Sequence, residues 1–350
     1  MAQRGGEKVM QRFVRIGGQA LLWIVLSGLI CWSVLAVYFG DLPGPWAGPV
    51  AAGAGVLLLG ALLLRTWKRR LGVFAVVFSV ILSWWFNIEP SNSRNWQSDV
   101  AVLPRAEIEG DRILLRNIRN CDYISETQYT VRHYDKTVLL SELRGVDLFL
   151  VNWGSPFIAH TMLSFRFGED DFVCMSIETR KTVDESYSSV RGFFRQYELT
   201  YVLGDERDLV RLRTNFRHED VYLYRLRFNP DVARSVFLEY LHQINQLFEH
   251  PQWYNALLSN CTTNIRGHAR PYTSDAQLDW RMLVNGFVDE MAYERGMLDT
   301  RLPFAELKRL SLINERALTM GDAPDFSLRI RDGLPVPGFS GQPSVYSMTQ

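Results

Sequence analysis

Three long apolar runs fall within the first ninety residues, and they constrain the fold more than any other feature of the chain. Gly18 to Phe39 (GQALLWIVLSGLICWSVLAVYF) is long enough to cross a bilayer as a helix, and Ala47 to Leu64 and Leu71 to Ile88 are each just long enough. Arg4, Lys8, Arg12 and Arg15 precede the first run, Asp41 is the one charge in the first loop, and Arg65, Lys68, Arg69 and Arg70 crowd the second. Basic loops stay in the cytoplasm, so the N-terminus is expected inside and the chain leaves outward after the third span, with Trp84 and Trp85 at the outer interface. A cleaved signal peptide does not fit, because the first run is too long and two more follow. The expected layout is a membrane region over 1–89, a polar linker over 90–99 (PSNSRNWQSD), an extracytoplasmic domain over 100–323 and a Pro/Gly/Ser-rich, poorly ordered tail over 324–350.

Charge and cysteine content exclude several functions. Thirty-eight basic and thirty-eight acidic residues cancel, so the excess of cations that phosphate binding requires is missing and no nucleic-acid partner is expected. The four cysteines, at 31, 121, 174 and 261, form no CxxC pair, and no HxxxH or HExxH pattern occurs, so neither a metal nor another cofactor is expected. Cys121 and Cys174 both fall on the extracytoplasmic side, where a disulfide between them is chemically open.

Short strand-like runs come first in the soluble part: Arg112 to Ile118, Val146 to Asn152, Thr161 to Phe167, Phe172 to Thr179, Leu209 to Thr214 and Val221 to Phe228. Helices follow. Asn229-Pro230 is a strong helix start, and Val232, Val236, Tyr240, Ile244 and Leu247 recur at helical spacing until Pro251. A second helix is expected from about Asp275 to Arg295, closed by Gly296. Strands followed by helices indicate an α+β domain.

Two side chains stand out chemically. Matching the apolar faces of the strands around GEDD (168–171) pairs Phe167 with Val173, Phe165 with Met175 and Leu163 with Ile177. His160 then lies opposite Arg180, and Glu178 is its diagonal neighbour on the same, more polar face, within reach to fix the imidazole tautomer. The plainer reading of His160 is a strand histidine bonded to whatever is near. Cys261, in LLSNCTTNI, lies at the start of a short helix, where the dipole and free N–H groups stabilise a thiolate. Ser259 or Asn260 would cap that helix, and the Asn260 amide with the Cys261 N–H could form an oxyanion site. A small buried cysteine is the plainer reading here, and Asn260-Cys261-Thr262 also satisfies the glycosylation sequon. Between 191 and 227, eight arginines are interleaved with Asp205, Glu206, Asp208, Glu219 and Asp220, which reads mainly as a solvated ion-pair network. Arg195 in that cluster, and Arg180 beside His160, are the candidates for holding an anionic group.

The stretches RNIRNCDY, WGSPFIAHTMLSFRF, SIETRK, VRGFFRQYEL, DERDLVRLRTN, VYLYRLR, HPQWYNALLSNCTTNIR and DWRMLVNGFVDEMAYERG resemble the bacterial family built around the Lnb N-terminal periplasmic domain. The resemblance covers most of residues 95 to 300, and its His-then-Cys order is similar to circularly permuted papain-like (NlpC/P60-related) thiol enzymes. It implies a permuted papain-like α+β domain and a dyad of Cys261 with His160, to which the strand register adds Glu178 as third member. The family's namesake is a membrane-anchored lipoprotein transacylase. The expectation is a multi-pass protein of the bacterial inner membrane, acting as a cysteine acyl hydrolase or acyltransferase on a membrane lipid or lipoprotein. Trp153, Phe157 and Trp253 are the aromatic candidates for an acyl groove. A peptidase or amidase on cell-wall peptides is the alternative within enzymes, and a membrane-anchored binding or scaffold protein with an inert thiol is the alternative outside them.

Overall fold

The computed structural model describes residues 2–337 apart from 41, 43, 228, 257–260, 273–278 and 283. The chain divides into two compact units, one of residues Met1–Pro90 with Ser188–Gln196, the other of Ser91–Tyr187 and everything from Tyr197 on.

In the first unit, helices α1 (Ala2–Tyr38), α2 (Gly44–Leu62) and α3 (Trp67–Phe86) contain spans long and apolar enough to cross a membrane, at Phe13–Tyr38, Gly44–Leu62 and Trp67–Phe86. Ala51, Leu58 and Ala61 of α2 pack with Leu26 and Val37 of α1 and Phe74 and Ile81 of α3. Leu57, Leu59, Leu63, Val76 and Val80 remain exposed, as expected of surface solvated by lipid. Ser33, inside α1, returns its hydroxyl to the Leu29 carbonyl at 2.7 Å and so carries no unmet polar group.

The second unit is built on one eight-stranded sheet with helices on both faces. Its strands are β1 (Arg105–Glu109), β2 (Arg112–Arg119), β5 (His133–Leu139), β6 (Leu143–Asn152), β7 (Ala159–Phe167), β8 (Asp171–Arg180), β9 (Glu198–Gly204) and β10 (Asp220–Arg225); a separate two-residue pair, β3 (Asp122–Tyr123) and β4 (Tyr129–Thr130), forms a small hairpin. The order is β1-β2-β9-β8-β7-β6-β10, with β5 also on β2. Because both faces are covered, the central strands are buried along nearly their whole length, which hides the simple alternation of a half-exposed strand.

One face carries Leu163, Phe165, Phe167, Val173, Met175 and Ile177 against α5 (Pro230–Glu249) and α6 (Cys261–Ala269). The Asn229 side chain caps α5 by accepting from the Asp231 N–H at 2.8 Å. The other face carries Phe149, Val151, Met162, Cys174 and Val202 under α4 (Glu206–Arg211) and the C-terminal segment. That segment contains α8 (Phe304–Ser311), α9 (Asn314–Met320) and α10 (Phe326–Arg329), reached from α7 (Val288–Glu294).

Several expectations change. Leu209 to Thr214 is helical, not a strand: Asp205 caps α4, and its buried Leu209 and Val210 close the second face of the sheet. The helix expected up to Arg295 is two short turns, Trp280–Met282 and Asn285–Phe287, followed by α7, with Gly296 at φ 67 ending it; the expected start near Asp275 lies outside the described residues. The polar segment expected as the linker packs on the sheet domain, with Trp96 buried, Ser91 N donating to Glu198 and Asn92 Nδ2 to the Leu247 carbonyl. The tail is ordered core up to Pro337, with Phe326 and Ile330 fully buried, while 338–350 lies outside the described residues. Cys121 and Cys174 are both free and buried, and burial raises the pKa of both thiols.

Within the 191–227 ion-pair stretch Glu206, Asp208, Arg211 and Arg213 are buried, and the two acids take arginine partners from outside it. Arg331 donates from Nε to Asp147 at 2.7 Å and from both terminal nitrogens to Glu206, with its guanidinium 3.9 Å from the Phe172 ring centre. Arg119 grips Asp208 through two 2.9 Å bonds, and Asp208 also accepts from Cys121 N and Tyr123 Oη. Removing one partner of such a buried set leaves an uncompensated charge. Arg331→Met should therefore lower the unfolding free energy by about 3–5 kcal/mol, read by denaturation of the detergent-solubilised protein, with Arg331→Lys intermediate; an Arg331→Met protein as stable as wild type would show the cluster adds nothing.

Candidate functional site

The hairpin register decides where His160 points. β7 and β8 pair Leu163 with Met175, Phe165 with Val173 and Phe167 with Asp171, two residues from the expected pairing, because the chain reverses in three residues, starting at Gly168 with φ 58. A two-residue shift keeps every side chain on its face but changes its partner. Continued along the strands, this register sets His160 opposite Glu178 instead of Arg180.

His160 and Glu178 do meet, through a serine. His160 Nε2 is 2.7 Å from Ser176 Oγ and 4.0 Å from Glu178 Oε1, and Ser176 Oγ donates to Glu178 at 2.7 Å. The serine proton is thus spent on the carboxylate, so the network assigns the Nε2 proton to the imidazole, which donates to Ser176. Arg213 donates to the same Glu178 oxygen at 3.1 Å and to Glu219 at 3.3 Å. Burial, reinforced by Arg213, lowers the His160 pKa to about 3, so the ring is neutral at physiological pH. Burial alone would raise the Glu178 carboxyl, but the Arg213 guanidinium, helped by the hydrogen bond from Ser176, holds it well below the usual range.

This network is on the wrong side of the sheet for Cys261. Across β6, Val151 pairs with His160 and Leu150 with Thr161. Val151 belongs to the core under α4, whereas Leu150 shares the α5/α6 core with Cys261. The side chain that does reach the cysteine helix is Thr161, whose Oγ1 lies 3.3 Å from Thr262 Oγ1. The expected dyad is therefore not assembled: alternation along β7 turns His160 to one face and Thr161 to the other.

Cys261 is the first residue of α6 and is 6% exposed. Asn285 Nδ2 approaches its sulfur at 3.8 Å and donates to Thr262 Oγ1 at 3.0 Å, and Thr262 Oγ1 is 3.9 Å from the sulfur. Asn285 Oδ1 accepts from Ala159 N at 2.8 Å, so one carboxamide links the start of β7 to the start of α6. Gly286 is required beside it, since a Cβ there would lie 2.1 Å from the Pro156 carbonyl oxygen. Ser259 and Asn260, the expected cap and oxyanion donors, lie outside the described residues. Asn285, Thr262 and Thr161 were not anticipated; the signal was the pair of threonines directly after His160 and Cys261.

His268 lies on α6 against the Tyr240 ring at 4.5 Å and is 2.8 Å from Tyr201 Oη. Burial lowers its pKa to about 4. Seven residues of helix separate it from Cys261, about 10 Å along the axis, too far for proton transfer. Among the aromatic candidates, Trp153 and Phe157 are exposed, and Phe157, Phe287 and Trp280 form a chain of ring contacts at 5.9 and 5.7 Å beside the Asn285 turn. Trp253 instead bridges to Glu198 and lies under the Arg94 guanidinium.

Neither arginine candidate stands as an anion site. Arg180 donates to the carbonyls of Val100 and Ala101 and to Asn92 Oδ1, and stacks 4.2 Å from Trp96. Arg195 donates to the carbonyls of Trp85, Phe86 and Ile88. Among the described residues no cluster of His, Cys, Asp and Glu could hold a metal ion.

The His160 assignment has a pH signature. Its folded pKa of about 3 lies below the unfolded value near 6.5, so the unfolded chain binds the extra proton between them, and this contribution to stability is complete above 6.5 and lost as pH falls. Between pH 7 and pH 5 the loss is about 2 kcal/mol. His160→Gln should flatten that part of the stability profile; an unchanged slope would show that His160 is exposed to solvent.

Residues 129–286 match the family model described as the Lnb N-terminal periplasmic domain, a stretch that holds His160, Glu178, Cys261 and Asn285. No curated protein and no solved structure matches the chain. From β4 to the Asn285-Gly286 turn, the sheet domain is therefore similar to the Lnb N-terminal periplasmic domain family.

Proposed function

We propose that this membrane-anchored extracytoplasmic protein is a cysteine acyl hydrolase or acyltransferase in which Cys261 is the nucleophile and the Asn285 carboxamide, not an imidazole, is the polar group beside it. The periplasmic family and the three apolar helices support the anchored, extracytoplasmic part of this reading. The observation that carries the chemistry is the sulfur at the first position of α6 with Asn285 Nδ2 3.8 Å away. A helix N-terminus favours negative charge on atoms beside it, and a fixed amide donor stabilises a developing oxyanion.

In this mechanism the sulfur attacks an ester or amide carbonyl, a carbon–sulfur bond forms, and the tetrahedral oxygen collects the Asn285 hydrogen bond. The alcohol or amine leaves with the proton given up by the thiol. Water or an amine then attacks the thioester, the carbon–sulfur bond breaks, and a proton from that incoming nucleophile restores the thiol. His160 and Glu178 are positioning residues that hold β7 against β8. The substrate is a membrane lipid or lipoprotein, which a bilayer-tethered domain meets at high local concentration; cell-wall peptides are the alternative substrate class. The proposed orientation places the N-terminus in the cytoplasm and the sheet domain outside the inner membrane, in line with the basic 65–70 loop.

A second reading, an inert thiol in a membrane-anchored binding protein, is favoured by one observation: among the described residues no imidazole or carboxylate is hydrogen-bonded to the Cys261 sulfur. Acylation separates the two. Full-length protein exposed to p-nitrophenyl butyrate should gain one butyryl group on Cys261, seen by mass spectrometry, and Cys261→Ala should gain none. Asn285→Ala should acylate about 100-fold more slowly, while folded His160→Ala stays within a few-fold of wild type. A Cys261 that is acylated only after denaturation would establish the inert reading.

A further inference from the structure

The chain between β8 and β9 makes an excursion that the sheet does not explain. Residues Ser188–Gln196 leave the sheet domain and belong instead to the compact unit of the three apolar helices. Phe194, 6% exposed, packs on Phe39 just past the end of α1, with ring centres 5.8 Å apart. The Arg191 guanidinium lies 5.7 Å from the same ring. Arg195 donates to the carbonyls of Trp85, Phe86 and Ile88 at 2.9, 3.0 and 3.2 Å, and stacks 4.3 Å from the Trp85 ring. Those of Trp85 and Phe86 are among the last carbonyls of α3, which a helix C-terminus leaves without intrahelical partners, so a guanidinium there both contacts them and complements the dipole. Arg195 adopts φ 52 to do so, a left-handed conformation that a non-glycine residue holds only when its surroundings fix it.

The opposite side of the same segment is apolar and uncovered. Residues 191–193 form a 3-10 turn, in which positions three apart eclipse, so Val190 and Phe193 project together. They are 51% and 43% exposed. The helix ends that this segment grips carry Tyr38, Trp84, Trp85 and Phe86, with Trp46 opening α2, an aromatic belt of the kind found at the level of lipid headgroups. The basic residues 65–70 lie at the other end of α2 and α3.

We propose that Ser188–Gln196 is an interfacial anchor, with Val190 and Phe193 inserted into the outer leaflet of the bilayer crossed by α1–α3 while Arg195 caps α3. The partner is the headgroup–acyl boundary of phospholipid. The argument for lipid as occupant is continuity: the segment is packed on the ends of spans whose flanks are already lipid-facing. The β8–β9 connection then ties the domain to the membrane at a point distant in sequence from the covalent exit at Pro90. The inference does not depend on any chemistry at Cys261.

Spin labels test it in the full-length chain. With the exposed Cys31 replaced by Ser and Cys261 by Ala, labels at Phe193→Cys, Val190→Cys and, as an aqueous reference, Ile124→Cys (72% exposed in the wild type) are compared in phosphatidylethanolamine–phosphatidylglycerol vesicles. Collision rates with oxygen, which partitions into lipid, and with a water-soluble nickel chelate give a depth ratio for each site. The expected ratio at 193 and at 190 is several-fold above that at 124. Ratios at both sites equal to that at 124 would overturn the anchor. The two labels are independent, so distortion at one leaves the other informative.

Discussion

The period of two along a β-strand governs this protein. β7 runs through the middle of a sheet whose two faces are both buried, so each of its side chains is committed to one of two separate interiors. Thr161 goes to the interior that contains Cys261, and His160 goes to the interior under α4. No rotamer of His160 changes this, because crossing the sheet would require slipping β7 by one residue and exchanging every apolar contact along it. The chemistry available to Cys261 therefore comes from its own side: the Asn285 carboxamide and two threonine hydroxyls.

The two interiors differ in kind. The α5/α6 side is almost wholly apolar, with Phe165 wedged edge-on between Phe237 and Tyr240. The α4 side is threaded by buried ion pairs: Arg331 with Glu206 and Asp147, Arg119 with Asp208, and Arg213 with Glu178. Buried pairs add little net stability compared with apolar packing, but they are costly to break and they specify geometry. Here each joins distant parts of the chain, α4 to β2, the C-terminal segment to β6, and the turn after α4 to β8, and so fixes how the second layer docks. His160 sits at the edge of that polar layer as a neutral donor, a structural member of it.

Much of this architecture was legible in sequence. Runs of twenty or so apolar residues identified three helices long and apolar enough to cross a membrane, and Asn229-Pro230 with a 3.6-residue apolar repeat identified α5. The faces of β7 and β8 were readable from alternation. Their pairing was not, since Gly168 permits a three-residue reversal that apolar matching alone cannot distinguish from a longer one. Leu209 to Thr214 is apolar and β-branched like a strand, but Asp205 supplied a helix cap that outweighed the local pattern. The site was legible only in part. Cys261 at a helix start was readable; Ser176 linking His160 to Glu178, and the sheet standing between His160 and Cys261, are tertiary facts that no local signal carries. Asn285, twenty-four residues beyond Cys261, reaches the sulfur only because Gly286 lets the chain press against Pro156.

Disulfide trapping reads the central claim directly, the separation of His160 from the cysteine helix. In a Cys261→Ala background, paired cysteines at 161 and 262 replace hydroxyls that lie 3.3 Å apart, and paired cysteines at 160 and 262 place the first thiol on the opposite face. Expressed so that the domain oxidises as it folds, the 161/262 pair should form a bridge and the 160/262 pair should remain reduced. A bridge from 160, with 161 left free, would put the imidazole beside the thiol after all and contradict the account.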